Sequence, residues 1–276
     1  MNDDLQDVAF GSRPGFAMPP GRTGDGGAGI DSWMRAVASG ARGHYAAASA
    51  ELDRACGSTA NPAVRSLASS TRASHLRQAG RHAAARRHDG EALRWVADPA
   101  SDAVSRAAAL DALIGLAADS LGTAQFDLAD RLLARCEDSL ARIDDDPWIW
   151  TGRLRLRHLW VRTESALYRG DARRAHEQML DGRDLIDACP SVRHRIKTDL
   201  IAAATSAATG DSVVAIRAAS GCADAARTHG QLPLEWAATS LLVGIGAASD
   251  GSGALVASEA RLRTELNARG GGFNPR

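Results

Sequence analysis

The chain has 276 residues, of which 45% are hydrophobic and only 4% aromatic, so it is long enough and apolar enough to bury a core. Disorder along its whole length is therefore excluded. Basic and acidic residues number 33 each, so net charge does not mark the whole chain as a binder of nucleic acids or membrane surfaces. Abundant alanine with few aromatic residues favours helices over strands.

The first 29 residues are rich in glycine and proline, which predicts a disordered N-terminal leader over residues 1–29. The start Met-Asn-Asp-Asp lacks the basic and apolar stretches of a signal peptide, and no run approaches the roughly 18 apolar residues of a membrane span. We therefore expect a cytoplasmic protein without a membrane span. The four scattered cysteines form no C-x-x-C pair, which predicts free thiols.

From about residue 30 onward the chain repeats a short signature. The signature is counted from a turn glycine: its next defined position lies two residues later, and small or apolar residues stand five, nine and twelve residues after the glycine. Copies begin at intervals of 37 to 46 residues, at Gly43, Gly80, Ala124, Gly170 and Gly210, with a degenerate sixth near Gly251. Proline falls only at boundaries, where the first turn of a helix tolerates it, at Pro62, Pro99, Pro147, Pro190 and Pro233.

The spacing of this signature predicts helical hairpins. A glycine at the end of one helix can adopt the left-handed conformation that closes it, and Asp171 or Asp211 just after the turn can cap the next helix. The later positions share one face of the second helix, where an alanine lets the preceding helix pack closely. The sequence thus predicts an all-α repeat domain of about twelve helices over residues 30–268, followed by a flexible C-terminal tail over residues 269–276.

The signature resembles the tetratricopeptide repeat, and it does so best in residues 43–48 and 168–175. In that family a turn glycine is followed by an aromatic residue, a closely packed alanine, a large apolar residue and a second alanine. The period here exceeds the family's usual 34 residues, so the resemblance is to a degenerate, long-period variant similar to the sensor arms of MalT-like and large LuxR-type bacterial regulators. The resemblance implies a right-handed superhelical array, or α-solenoid, of about six antiparallel hairpins.

Each candidate motif for catalysis, metal binding or cofactor binding lacks a residue that the chemistry requires. His176 and Glu177 begin an H-E-x-x-H pattern, but Leu180 stands where the second histidine is needed. His82 and His88, six residues apart, point to different faces of a helix. Residues 144–146 are three aspartates without a second acidic cluster, and the glycines around residues 244–253 lack a preceding strand and a lysine. We therefore expect no enzyme, no cofactor and no metal site.

The resemblance also implies a ligand groove, because the first helix of each tetratricopeptide hairpin lines the concave surface. Register places these residues in a partner-binding groove: Arg77, Ile114, Arg157, Trp160, Glu164, Leu167, Tyr168, Lys197 and Leu200. A second set of arginines forms one helical stripe, at Arg155, Arg162, Arg169 and Arg173. The stripe is either the solvated face of an amphipathic helix or an anion-attracting wall of the groove.

The leading functional hypothesis is a non-catalytic scaffold or adaptor that binds a partner peptide or helix in its groove, with arginines orienting the partner. The alternative is a peptide- or ligand-sensing module of a transcriptional regulatory system. A third hypothesis, a helical enzyme, requires a deep pocket of convergent ionisable groups. Binding to nucleic acid is less favoured, because the overall charge is balanced.

Overall fold

The structure, a computed structural model, describes residues 2–19, 27–96, 102–143, 147–246 and 253–273. These residues contain fourteen helices and no strand, so the predicted all-α class is confirmed. The helices are α1 (Asp3–Phe10), α2 (Ala28–Ala41), α3 (Tyr45–Gly57), α4 (Pro62–Gln78), α5 (His82–Trp95), α6 (Ala103–Gly122), α7 (Phe126–Leu140), α8 (Gly152–Tyr168), α9 (Ala172–Asp181), α10 (Arg183–Asp187), α11 (Val192–Ala208), α12 (Ser212–Thr228), α13 (Leu232–Gly244) and α14 (Gly253–Ala268). None of the described helices is long and apolar enough to cross a membrane.

The signature positions adopt the predicted turn. The turn residue has a φ between +57° and +89° at Gly43, Gly80, Ala124, Gly170 and Gly210. A helix begins two residues after each of them. In the first copy the His44 amide donates to the Ser39 carbonyl at 2.9 Å, which is the hydrogen bond of a glycine-closed helix end. The Asp171 carboxylate caps α9 by accepting from the Arg174 amide at 3.0 Å, as predicted.

The small residue five positions after each turn lets the helices pack closely. It is 0% exposed in all five described copies, at Ala48, Ala85, Ala129, Ala175 and Ala215. Consecutive helices pack together in this way, α2 on α3, α4 on α5, α6 on α7, α8 on α9, α11 on α12 and α13 on α14. The first member of each pair also contacts the first member of the next, in the order α2, α4, α6, α8, α11, α13. We call these six the inner helices.

The predicted disordered leader over residues 1–29 does not hold for residues 3–10, which form α1. Asn2 caps this helix by accepting from the Leu5 amide at 3.2 Å, and Leu5, Val8 and Phe10 are buried. A helix this short is not stable alone, so packing against the inner helices α2 and α11 stabilises it. Residues 20–26 of the predicted leader lie outside the described residues. Besides the predicted helices, the structure contains α1 and the short α10.

The residues after α14 pack against the beginning of the repeat domain. Phe273 is buried, and its ring centroid lies 4.9 Å from that of Trp236 and 5.8 Å from that of Tyr45. The Ala46 amide donates to the Arg269 carbonyl at 3.0 Å. The predicted flexible tail is therefore ordered over residues 269–273, because an aromatic side chain anchors it. Residues 274–276 and the sixth turn near Gly251 lie outside the described residues.

Candidate functional site

The inner helices surround a cavity of about 500 Å³. Each of them contributes at least one side chain to its wall, and Phe10 of α1, His82 of α5 and Phe273 also line it. The contributions of the inner helices include Trp33, Arg77, Asp111, Arg157, Lys197 and Trp236. A cavity of this size, with both apolar and charged walls, falls within the range of ligand-binding sites.

Helix α1 packs against α2 and α11 and places Phe10 at the wall of this cavity. The Phe10 side chain is only 3% exposed, and its ring centroid lies 5.3 Å from that of Trp33. The guanidinium carbons of Arg153 and Arg193 lie 5.4 Å and 5.8 Å from the ring, within the range of cation–π contacts. The cavity wall therefore includes one aromatic side chain from a helix that is not one of the six inner helices.

Two arginines of α8 share a single carboxylate on α6. Arg153 donates from Nη1 and Nη2 to the two carboxylate oxygens of Asp111, at 3.2 and 2.7 Å, and Arg157 pairs with the same carboxylate. Burial lowers the pKa of Arg153 to about 9. Burial, and next the charge of Arg77, lower the pKa of Arg157 to about 10. Both groups are still charged at neutral pH, so one negative charge faces two positive charges.

Arg193 on α11 adds a third positive charge to this group. Burial and the charge of Arg153 lower its pKa to about 10. Within the described part of the chain no carboxylate pairs with Arg193, and its buried Nε has no hydrogen-bond partner. We call Arg153, Arg157 and Arg193 the arginine cluster. Burying charge without a partner is costly, so the cluster favours an anion near it.

A second group of ion pairs is centred on Arg77, which also lines the cavity. The Arg77 Nε donates to Asp119 at 2.8 Å, and the same guanidinium pairs with Asp89. Burial raises the pKa of Asp89 to about 7, although the charge of Arg77 opposes this shift. Asp89 occupies a signature position where a small or apolar residue is expected, and its ion pair with Arg77 explains the departure.

Aromatic side chains form much of the remaining wall. The Trp160 Nε1 donates to Thr198 Oγ1 at 2.9 Å, and the Trp160 ring stacks on His194 with 5.5 Å between ring centroids. Burial, followed by the charge of Arg193, holds the pKa of His194 well below its usual range, so this ring is neutral at pH 7. Trp33 is fixed similarly, because its Nε1 donates to Thr71 Oγ1 at 2.9 Å.

Most of the residues predicted for the groove line this cavity, namely Arg77, Arg157, Trp160, Glu164, Tyr168, Lys197 and Leu200. Ile114 and Leu167 do not line it. Ile114 shares a face of α6 with Asp111 and Ala118, but its side chain is 0% exposed because it is covered by the packing of the core. The prediction missed Arg153 and Arg193. Each stands four residues before a predicted lining residue, Arg157 or Lys197, and therefore shares its helix face.

The arginine stripe of α8 and α9 does not belong to the cavity. Arg155 donates to the Ile143 carbonyl at 3.0 Å, Arg162 pairs with Glu137 at 3.1 Å and Arg169 with Asp130 at 2.6 Å. Arg173 pairs with Glu177 on its own helix. None of these four arginines lines the cavity in the described structure. The structure therefore does not place the stripe in the wall of this cavity, and its four arginines pair with neighbouring groups instead.

Comparisons with protein-family models, curated proteins and solved structures gave no match.

Proposed function

We propose that this protein is a non-catalytic scaffold or adaptor that binds an amphipathic segment of a partner protein in the cavity between its inner helices. In this proposal the helix pairs form a right-handed superhelical array of about six antiparallel hairpins, as the resemblance to tetratricopeptide repeats implies. The order of contacts among the inner helices supports such an array, because each of them contacts the next.

The docking of α1 is the observation that carries this proposal. Its apolar residues Leu5, Val8 and Phe10 are buried, whereas Asp3 and Asp4 are exposed. This is the geometry by which amphipathic helices bind grooves, with apolar anchors inward and polar residues outward. The chain thus contains one amphipathic segment that docks against α2 and α11 beside the cavity and reaches the cavity wall with Phe10. A partner with the same pattern of apolar anchors and acidic residues would compete with α1 for the site.

A titration with a synthetic peptide tests the proposal. The peptide has the sequence of residues 2–16, an acetylated start, an amidated end and a fluorescent label, and its anisotropy is measured with the full chain. Val8→Asp places a charge in the buried face of α1 and should free the site. Phe10→Ala provides a second variant with the same aim. We expect one-to-one binding at least tenfold tighter to these variants than to the wild type.

Matched controls separate this effect from general changes in the protein. Val213→Asp alters a valine that is 67% exposed on α12, and its affinity should equal that of the wild type. A peptide with aspartate in place of Phe10 should not bind. If the folded Val8→Asp and Phe10→Ala chains, checked by circular dichroism, do not bind the peptide, the proposed function is wrong.

The arginine cluster favours a second candidate, a ligand-sensing module of a transcriptional regulatory system. A cavity of about 500 Å³ accommodates a small molecule, and α1 would then report its presence by docking or leaving. A ligand that changes protease access to α1 supports this candidate, and one that binds without such a change contradicts it.

The enzyme hypothesis gains less from the same cavity. The lining carboxylates Asp111 and Glu164 both form ion pairs, with arginines and with Lys197 respectively. The Nδ1 of His194 is already in a hydrogen bond of 2.8 Å with the Ser191 hydroxyl three residues earlier, and both side chains are buried. The cavity groups that can still form hydrogen bonds are positively charged donors, which favour binding an anion over abstracting a proton.

A further inference from the structure

We infer that the arginine cluster is a binding site for the carboxylate of an organic anion whose apolar body rests against Trp160 and Leu200. This inference deepens the proposed function, since it names the chemistry of a group bound in the same cavity. It rests on that function only for the cavity being a binding site.

The balance of charge is the first argument. Three guanidinium groups meet at the cavity wall, while Asp111 is the one carboxylate among the described residues that pairs with any of them. Asp89 forms no ion pair with Arg157 and acts on it only through longer-range electrostatic attraction. Because the pKa of Asp89 is raised to about 7, this carboxyl group is only partly charged at neutral pH, which weakens the attraction. An anion in the cavity would supply the missing negative charge and would be bound strongly, because water screens little there.

The hydrogen-bonding capacity of the cluster is the second argument. A guanidinium presents five N–H donors in a planar fork that matches a carboxylate. Asp111 occupies both Nη atoms of Arg153, whereas the buried Nε of Arg193 has no partner in the described structure. Because that Nε is covered, a ligand carboxylate would bind Arg193 through the part of its guanidinium that lines the cavity.

The surroundings of the cluster give the third argument. Phe10 already contacts Arg153 and Arg193 through its ring, and Trp33 stands 5.3 Å away from that ring. Trp160 and Leu200 extend the apolar wall on the same side as Lys197. Such a site selects a molecule with one charged end and an aromatic or branched apolar body. An inorganic anion would use the arginines but not the aromatic wall.

Titration of the full chain with sodium phenylacetate tests the inference, with tryptophan fluorescence and the melting temperature as readouts. Sodium chloride at equal ionic strength controls for salt, and phenylacetamide has the same shape without the charge. Phenylacetate should bind saturably, at least tenfold tighter than phenylacetamide. Equal shifts with phenylacetate and chloride would overturn the inference, and so would inorganic phosphate binding as tightly as phenylacetate.

One variant and its control locate the site. Arg193→Gln removes the arginine that lacks a carboxylate partner, so the chain should fold at least as stably and bind phenylacetate at least tenfold more weakly. Arg217→Gln removes an exposed arginine of α12 and should change the affinity less than twofold. Unchanged affinity in Arg193→Gln would overturn the assignment.

A further pair of ligands identifies the source of the carboxylate. Acetyl-Ala-Phe with a free carboxylate is compared with its amide, and tighter binding of the acid than of phenylacetate indicates a peptide terminus, whereas weaker binding indicates a free small acid. Because the peptide that tests the proposed function is amidated, the two failures are distinguishable. Phenylacetate binding without peptide binding would contradict only the proposed function, and the reverse would contradict only the anion site.

Discussion

The guanidinium of Arg153 lies against the ring of Phe10, with 5.4 Å between the guanidinium carbon and the ring centroid. The two residues lie 143 positions apart in the chain, and the contact joins the first helix to the wall of the cavity. The same guanidinium donates to Asp111. Arg153 therefore connects α1 to the charged part of the site.

Phe10→Ala should release α1 while leaving the repeat domain folded. Removing a buried phenylalanine costs about 3–5 kcal/mol, which exceeds what an eight-residue helix can supply by itself. We expect endoproteinase Asp-N to cleave before Asp7, within α1, at least tenfold faster in this variant. Tyr168→Ala truncates an aromatic side chain that is 61% exposed and should leave the cleavage rate unchanged. Equal rates for the wild type and Phe10→Ala would show that α1 is not held by this ring.

Asp111→Asn should destabilise the protein strongly. The substitution leaves Arg153 and Arg157 charged and without their shared carboxylate, and an uncompensated buried charge costs about 3–5 kcal/mol. Urea unfolding measures the loss. Asp130→Asn breaks the exposed ion pair with Arg169 and should cost about 1 kcal/mol or less. Similar losses in the two variants would contradict the role given to Asp111.

Ala124→Gly should stabilise the protein. Ala124 has a φ of +57°, a left-handed conformation in which alanine is strained and glycine is not. We expect a gain of about 1 kcal/mol in the free energy of unfolding. Ala188→Gly replaces an alanine at a helix end with ordinary φ of −74° and should lower stability slightly. A loss of stability in Ala124→Gly would mean that the turn does not have this geometry.

Stability should fall as the pH drops from about 6.5 to 4, in part because of His75. Burial, followed by the charges of Arg193 and Arg72, lowers the pKa of His75 to about 4 from 6.5. Below pH 6.5 the unfolded chain binds a proton that the folded chain does not, so this residue costs about 3 kcal/mol by pH 4. Asp89, with a raised pKa, acts in the opposite direction over this range.

The measurement is therefore a difference between variants. The change in unfolding free energy between pH 7 and pH 4 is compared for the wild type, His75→Gln and His176→Gln, which alters an exposed histidine. His75→Gln should lose less stability than the wild type over this interval, and His176→Gln should match the wild type. An identical loss in all three proteins would contradict the burial of a neutral His75.

The sequence predicted the repeating turns well, because their geometry is local. A helix end at Gly43 or Gly170 requires a positive φ, and the next helix starts two residues later in both copies. The alanine five positions on is buried for the same local reason. The class of the fold and most of the cavity lining follow from these short-range patterns, since residues on the first helix of each pair share one face.

The remaining features depend on contacts between distant parts of the chain. The hydrogen bond from the Ala46 amide to the Arg269 carbonyl joins residues with no pattern in common. Helix α1 was not predicted because a short helix is stabilised by what it packs against, and glycine and proline dominate the following residues. The sequence did not predict Arg193 as a cavity residue, because Arg193 lies on α11 and Arg153 on α8. Residues that meet across two helices have no fixed spacing in the sequence.

Hydrogen exchange of residues 3–10 in the wild-type chain tests the central claim most directly. The claim is that α1 occupies the site at which an amphipathic partner segment binds. The amides of α1 should be protected in the free protein, and a saturating amount of the unlabelled peptide of residues 2–16 should abolish this protection while the inner helices stay protected. Unchanged protection of α1 with the peptide bound would contradict a shared site.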